Sequence, residues 1–100
     1  MTFAIEKRPD DILLKGELDM SAEHELTRSL DPEPQNGGDL VLDLSELTFI
    51  DSSGVRVLLR TADRLADRGR VILRTPSPAV ARVFDLMRLE TVPNIEVQKE

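Results

Sequence analysis

Between residues 40 and 74 the spacing of apolar residues changes twice, and no other feature of the chain restricts the fold as much. In the run from Leu40 to Ser45, Leu40, Leu42 and Leu44 share one face while Val41 and Asp43 share the other, the alternation of a strand. From Val55 the period becomes helical: Val55, Leu58, Leu59, Ala62, Leu65 and Ala66 form one apolar stripe. Gly69 is placed to end that helix. Val71-Ile72-Leu73 is then a continuous apolar run that suits a strand covered on both faces. Strand, helix, strand over residues 40–74 is a βαβ unit, which predicts parallel strands and a right-handed crossover.

The flanks extend the same scheme. Phe3 and Ile5 alternate with polar neighbours, and Ile12-Leu13-Leu14 follows the turn signal Arg8-Pro9-Asp10-Asp11, which predicts an antiparallel hairpin. Gly16-Glu17-Leu18-Asp19 ends its second strand. Asp19 or Ser21 can cap a helix over about 22–30. Residues 31–38 hold two prolines and two glycines and read as a loop, the segment with most freedom to move. Ser77 as N-cap and Pro78 at the first helical position open a third helix with Val80, Val83, Phe84 and Met87 inward. Pro93 blocks its continuation, and Ile95-Glu96-Val97 can add a last strand. The order is β-β-α-β-α-β-α-β: an α/β fold, a mixed sheet with helices packed against it, in one domain over residues 1–100.

A chain of 100 residues can bury roughly two-thirds of its unfolded surface, enough for one core without disulfides. With three Phe and neither Tyr nor Trp, that core must be built from Leu, Val, Ile and Ala. Cysteine is absent, which removes disulfides, thiolate nucleophiles and Cys-based zinc sites. No apolar run exceeds three residues, so neither a membrane span nor a signal-peptide core is expected, and a cytoplasmic location follows as the default.

The net charge of -6 is unevenly spread. Residues 1–50 carry twelve acids against four bases, whereas residues 51–88 carry eight arginines against four aspartates. The acidic total argues against direct nucleic-acid binding, which rests on phosphate neutralisation. The arginine excess leaves a local basic surface available to an acidic partner.

At the junction of the strand and helix of the βαβ unit stands Asp51-Ser52-Ser53-Gly54. In open α/β sheets this edge is where ligands and partners meet the protein. One interpretation is a helix cap, and spacing alone favours it. The other is a modified hydroxyl: a phosphate here would add about -1.5 to -2 charge at neutral pH. The helix N-terminus tolerates that charge, while a docked partner would have to desolvate it beside Asp51.

Enzymatic alternatives find little support. The turn has one Gly and no following Lys, so it is no P-loop. A serine hydrolase needs a histidine base, and the one His, His24, sits in a Glu-rich helix as a solvated residue. Glu17 and Asp19 are two apart, but a cap plus a solvated acid explains them without paired catalysis. Too few ligands converge for a metal, and no cofactor is indicated. Arg56, Arg60 and Arg64 recur every four residues down the helix after the turn, with Asp63 and Asp67 placed to relieve their repulsion. The stripe begins one turn from Ser52, so an acidic partner can use both.

The stretch Leu40–Leu59 together with the early Gly16-Glu17-Leu18-Asp19 and the later Ser77–Glu90 resembles the STAS domain, specifically the stand-alone bacterial anti-sigma-factor antagonists, over about residues 3–97. The resemblance implies a non-catalytic regulator that binds an anti-sigma factor with serine-kinase activity and thereby frees a sigma factor. It implies that the kinase phosphorylates the first serine of the turn, Ser52, and that a serine phosphatase resets it. Ser53 is then the helix cap and the secondary candidate, and Asp51 contacts the kinase or orients the turn. The partner surface implied takes in Asp19, Asp51, Ser52, Ser53, Gly54, Arg56 and Arg60. Members of this type often carry a further C-terminal helix, and this chain ends three residues past Val97. A rival role on the same fold is a fixed STAS subunit of a larger assembly, such as a lipid-transport ATPase complex or a stress-signalling particle.

Overall fold

A computed structural model describes residues 2–35 and 37–99. Strands β1 (Phe3–Lys7) and β2 (Ile12–Leu18) are followed by α1 (Glu23–Leu30), β3 (Leu40–Ile50), α2 (Ser52–Leu65), β4 (Val71–Arg74), α3 (Pro78–Leu86) and β5 (Ile95–Gln98). Short 3-10 turns precede α1, follow α2 and follow α3. The five strands form one sheet in sequence order, β1-β2-β3-β4-β5. β1 is antiparallel to β2 and every other neighbouring pair is parallel. The expected element order, the hairpin, the parallel βαβ pair and the mixed sheet are all present.

The register sorts the side chains. Ile12, Leu42, Leu73 and Val97 lie in one row across the sheet, and Leu40, Val71 and Ile95 in another. These rows share a face, and it merges with Leu26 and Leu30 of α1, Val55, Leu58, Ala62 and Leu65 of α2, and Val80 and Phe84 of α3 into one core. The one aromatic in it is Phe84; the rest is Leu, Val, Ile and Ala, as the composition required. The other face carries Leu13, Asp43 and Arg74 in one row. Here Arg8 donates from Nε to Asp11 Oδ1 (2.6 Å) and from Nη2 to Asp43 Oδ2 (2.8 Å), and Arg74 also donates to Asp11. The Arg8 hydrogen bond, with help from Arg74, holds the Asp11 carboxyl below the ordinary aspartate range against the opposing effect of burial.

Four sequence-based expectations are corrected. β3 does not stop at Ser45 but runs on to Ile50. Its later inward residues are Leu47 and Ile50, spaced by three because the pairing with β2 slips at two points, so strict alternation does not detect them. Gly69 does not supply the positive φ at the end of α2; Ala66 does, at φ 51°. Gly69 is extended, and its missing side chain matters because a Cβ would lie 2.1 Å from the Gly38 carbonyl oxygen. The carbonyls at the end of α2 are met instead by Asn94, whose Nδ2 donates to Ala62 (2.7 Å) and Ala66 (2.9 Å). The α2 stripe loses Ala66, which is exposed, and gains the buried Val57 and Thr61. Met87 is also exposed: α3 ends at Leu86, Arg88 turns left-handed at φ 58°, and Leu89 takes the buried position.

Ser77 caps α3 as expected, with Pro78 at its start. Among the described residues no helix is long and apolar enough to cross a membrane. After α1 the chain is tied to the body at Glu33, by Lys7 on its carboxylate (2.7 Å) and by Arg64 on its carbonyl (2.7 Å).

Candidate functional site

Leu18 closes β2 opposite Ile50, which closes β3. Because the strands are parallel, the chain leaves both at the same edge, and Asp19 and Asp51 emerge as neighbours. Each aspartate is an N-cap with extended backbone (φ -109° and -114°). Each does the same thing with one oxygen. Asp19 Oδ1 accepts from the Ser21 N–H (2.9 Å) and the Ser21 hydroxyl (2.5 Å). Asp51 Oδ1 accepts from the Ser53 N–H (3.0 Å), the Ser53 hydroxyl (2.5 Å) and the Gly54 N–H (3.2 Å). The Asp-x-Ser spacing stands in the sequence at both places, but only the strand register makes the two turns adjacent.

The cap of α2 is therefore Asp51, not Ser53. Burial pushes the Asp51 carboxyl up, but the Ser53 hydroxyl and the backbone N–H groups of Gly54, Ser53 and Met20 outweigh it and hold the group below the ordinary aspartate range. Ser53 is 7% exposed and spends its hydroxyl on Asp51. Ser52 is the first residue of α2; it is exposed, and among the described residues its hydroxyl makes no hydrogen bond. The position matching Ser52 in the other turn is Met20, 74% exposed.

Gly54 is buried, and its role is close approach. A Cβ there would lie 2.8 Å from Ile50 Cγ1 and 2.8 Å from Leu18 Cγ. The missing side chain lets the first turn of α2 sit directly on the two strand ends, which fixes where Ser52 faces. Sequence spacing marks Gly54 as part of the turn but cannot reveal this contact, because Leu18 is remote in the chain.

The three arginines of the stripe have separate surroundings. Arg64 donates to the carbonyls of Leu30 (2.8 Å) and Glu33 (2.7 Å) and so closes the C-terminal end of α1. Arg60 pairs with Glu23 of α1 at 3.1 Å. Arg56 is exposed and makes no ion pair among the described residues. Asp63 and Asp67 do not pair with Arg60 or Arg64, contrary to the helical spacing; α1 packs close enough to offer both arginines better acceptors. His24 is exposed, and among the described residues no cluster of His, Asp and Glu is arranged to hold a metal.

The arrangement presents an exposed hydroxyl on a helix N-terminus, near two engaged carboxylates, an exposed methionine and a guanidinium that has no ion pair among the described residues. A family model described as "Mlab, STAS domain" matches residues 1–97. The anti-sigma-B factor antagonist of Bacillus subtilis is 27% identical over 88 residues, which is 87% of this chain and 81% of the relative. The structure of the anti-sigma factor antagonist SpoIIAA in its unphosphorylated form superposes with a TM-score of 0.72 at 30% identity, covering 99% of this chain and 90% of that one. The phosphorylated form of the Bacillus cell fate determinant SpoIIAA superposes with a TM-score of 0.66 at 28% identity, covering 99% and 93%.

Proposed function

The chain belongs to the STAS-domain family of anti-sigma-factor antagonists, which are non-catalytic regulators, and on that premise we propose that it binds an anti-sigma factor with serine-kinase activity and is released by phosphorylation of Ser52. The observation that carries the choice of residue is the fate of the two hydroxyls. Ser53 is buried and bonded to Asp51, whereas Ser52 is exposed and free. In the reaction Ser52 Oγ attacks the γ-phosphorus of ATP, the bond to the β,γ-bridging oxygen breaks, and ADP and the serine proton leave. The product carries a dianion at the start of α2, where helix N–H groups offset its charge within the protein. A partner closing over the same edge would have to strip water from that dianion next to Asp51, and its affinity falls. Asp19, Asp51 and Arg56 border the serine and form the docking face with it; Arg60 joins through its pair with Glu23. Ser53 and Gly54 serve that face by shaping it from below. A serine phosphatase returns the protein to the binding form, and the cycle belongs in the cytoplasm.

The test is intact-mass spectrometry after incubation with the candidate anti-sigma kinase and ATP, on wild type and Ser52→Ala. One added phosphate that disappears in the variant is the expected result. A phosphate that survives the substitution removes Ser52 from the mechanism.

A second role on the same fold is the fixed subunit of a larger assembly such as a lipid-transport ATPase complex or a stress-signalling particle; the matched family model, described as "Mlab, STAS domain", is compatible with it. Binding that Ser52→Asp leaves unchanged would select it.

A further inference from the structure

Resting on Ser52 as the phosphoacceptor, we propose that Arg56 clasps the phosphate, so that phosphorylation closes a phosphoserine–arginine pair across the first turn of α2. Ser52 and Arg56 are four residues apart on one continuous helix and both are exposed. Side chains at that spacing stand roughly 5–6 Å apart at Cβ, and the order of acid before base is the favourable one. The stripe holds three arginines, but Arg60 is engaged with Glu23 and Arg64 with the end of α1. Arg56 is the member with no ion pair among the described residues. A guanidinium is also the group whose planar fork matches two phosphate oxygens.

The other charges around Ser52 do not compete. Asp51 directs Oδ1 into its own cap, and Asp19 does the same in the neighbouring turn. His24, on α1, is exposed, and Glu23 faces Arg60.

The pair makes the switch larger than the phosphate alone. In the unmodified protein Arg56 is an exposed cation one helical turn from Ser52, with no ion pair among the described residues, and is available to an acidic surface on the partner. Phosphorylation adds a dianion to the docking face and withdraws that cation from it in the same step. The modified face is repelled by an acidic partner and has lost the contact that attracted it.

The pair is measurable without any kinase. Phosphoserine is installed at position 52 of the full chain by genetic encoding, and its second ionisation is followed by phosphorus NMR at low ionic strength. A guanidinium clasped on the phosphate holds its charge about 4 Å away, which in water shifts a proton equilibrium by roughly 0.7 unit. The phosphate of the wild-type sequence should therefore ionise about 0.7 unit lower than that of Arg56→Gln. Raising the salt should shrink the difference, and Arg60→Gln should reproduce little of it. Equal midpoints in wild type and Arg56→Gln would overturn the proposal. Failure of every kinase to modify Ser52 would instead sink the functional assignment and leave this result standing.

Discussion

The Ser53 hydroxyl donates to Asp51 Oδ1 at 2.5 Å, and that bond gives two serines adjacent in the chain opposite lives. Ser53 becomes part of the protein's interior wiring; Ser52 is left as the hydroxyl that solvent and partners meet.

Stability should separate them before any partner is added. Ser53→Ala removes a buried hydrogen bond to a carboxylate and should cost about 1–2 kcal/mol. Ser52→Ala should stay within about 0.5 kcal/mol of wild type, as surface changes do. Urea denaturation monitored by circular dichroism decides it; the reverse ranking would show that the hydroxyls are assigned to the wrong residues.

Asp51→Ala strips the cap from α2 and should cost about 1–2 kcal/mol at neutral pH. The pH dependence has a definite sign. The folded carboxyl ionises below its unfolded value, so its contribution is full above that unfolded value, near 4, and fades as pH falls through the lower folded one. The stability gap between wild type and Asp51→Ala should therefore be constant from about pH 5 to 8 and narrow in more acid solution. A gap that instead widens on acidification would contradict the assignment of Asp51 as an ionised cap.

Gly54→Ala tests close approach. The new methyl would lie 2.8 Å from both Ile50 Cγ1 and Leu18 Cγ, so the strand ends or the helix must shift. Overpacking of this kind costs about 1–3 kcal/mol. Ala is otherwise the better helix former, by about 1 kcal/mol, so a stabilised Gly54→Ala protein would mean that the contact is not as tight as described.

On the opposite face of the sheet, Asp11→Asn should cost about 1–3 kcal/mol at neutral pH, because Arg8 and Arg74 both lose a charged acceptor. Its folded carboxyl also ionises below the unfolded value, so this loss too should shrink below about pH 4. Thermal melts of both proteins across that range give the answer, and a pH-independent difference would show that charge is not what the substitution removes.

The order of elements was legible in the sequence because it rests on local physics. The period of apolar residues, the Ser77-Pro78 start of α3 and the turn residues around Arg8-Pro9 act within a few positions, and the strands and helices followed them. The Asp51–Gly54 turn was legible for the same reason, as a strand-to-helix junction. What the turn does was decided elsewhere. The choice between Ser52 and Ser53 depends on burial, which the packing of α2 on β2 and β3 sets. The demand for Gly54 comes from Leu18, and the neighbouring cap at Asp19 from the register of Leu18 against Ile50. Arg60 and Arg64 left the acids of their own helix for acceptors on α1, and Gly69 answered to Gly38 rather than to the end of α2. Local periodicity tells a residue which way to point; which groups it meets is fixed only when distant segments are brought within a few ångströms. At that range hydrogen bonds, charges and hard-core repulsion outweigh the weak preferences of the chain itself.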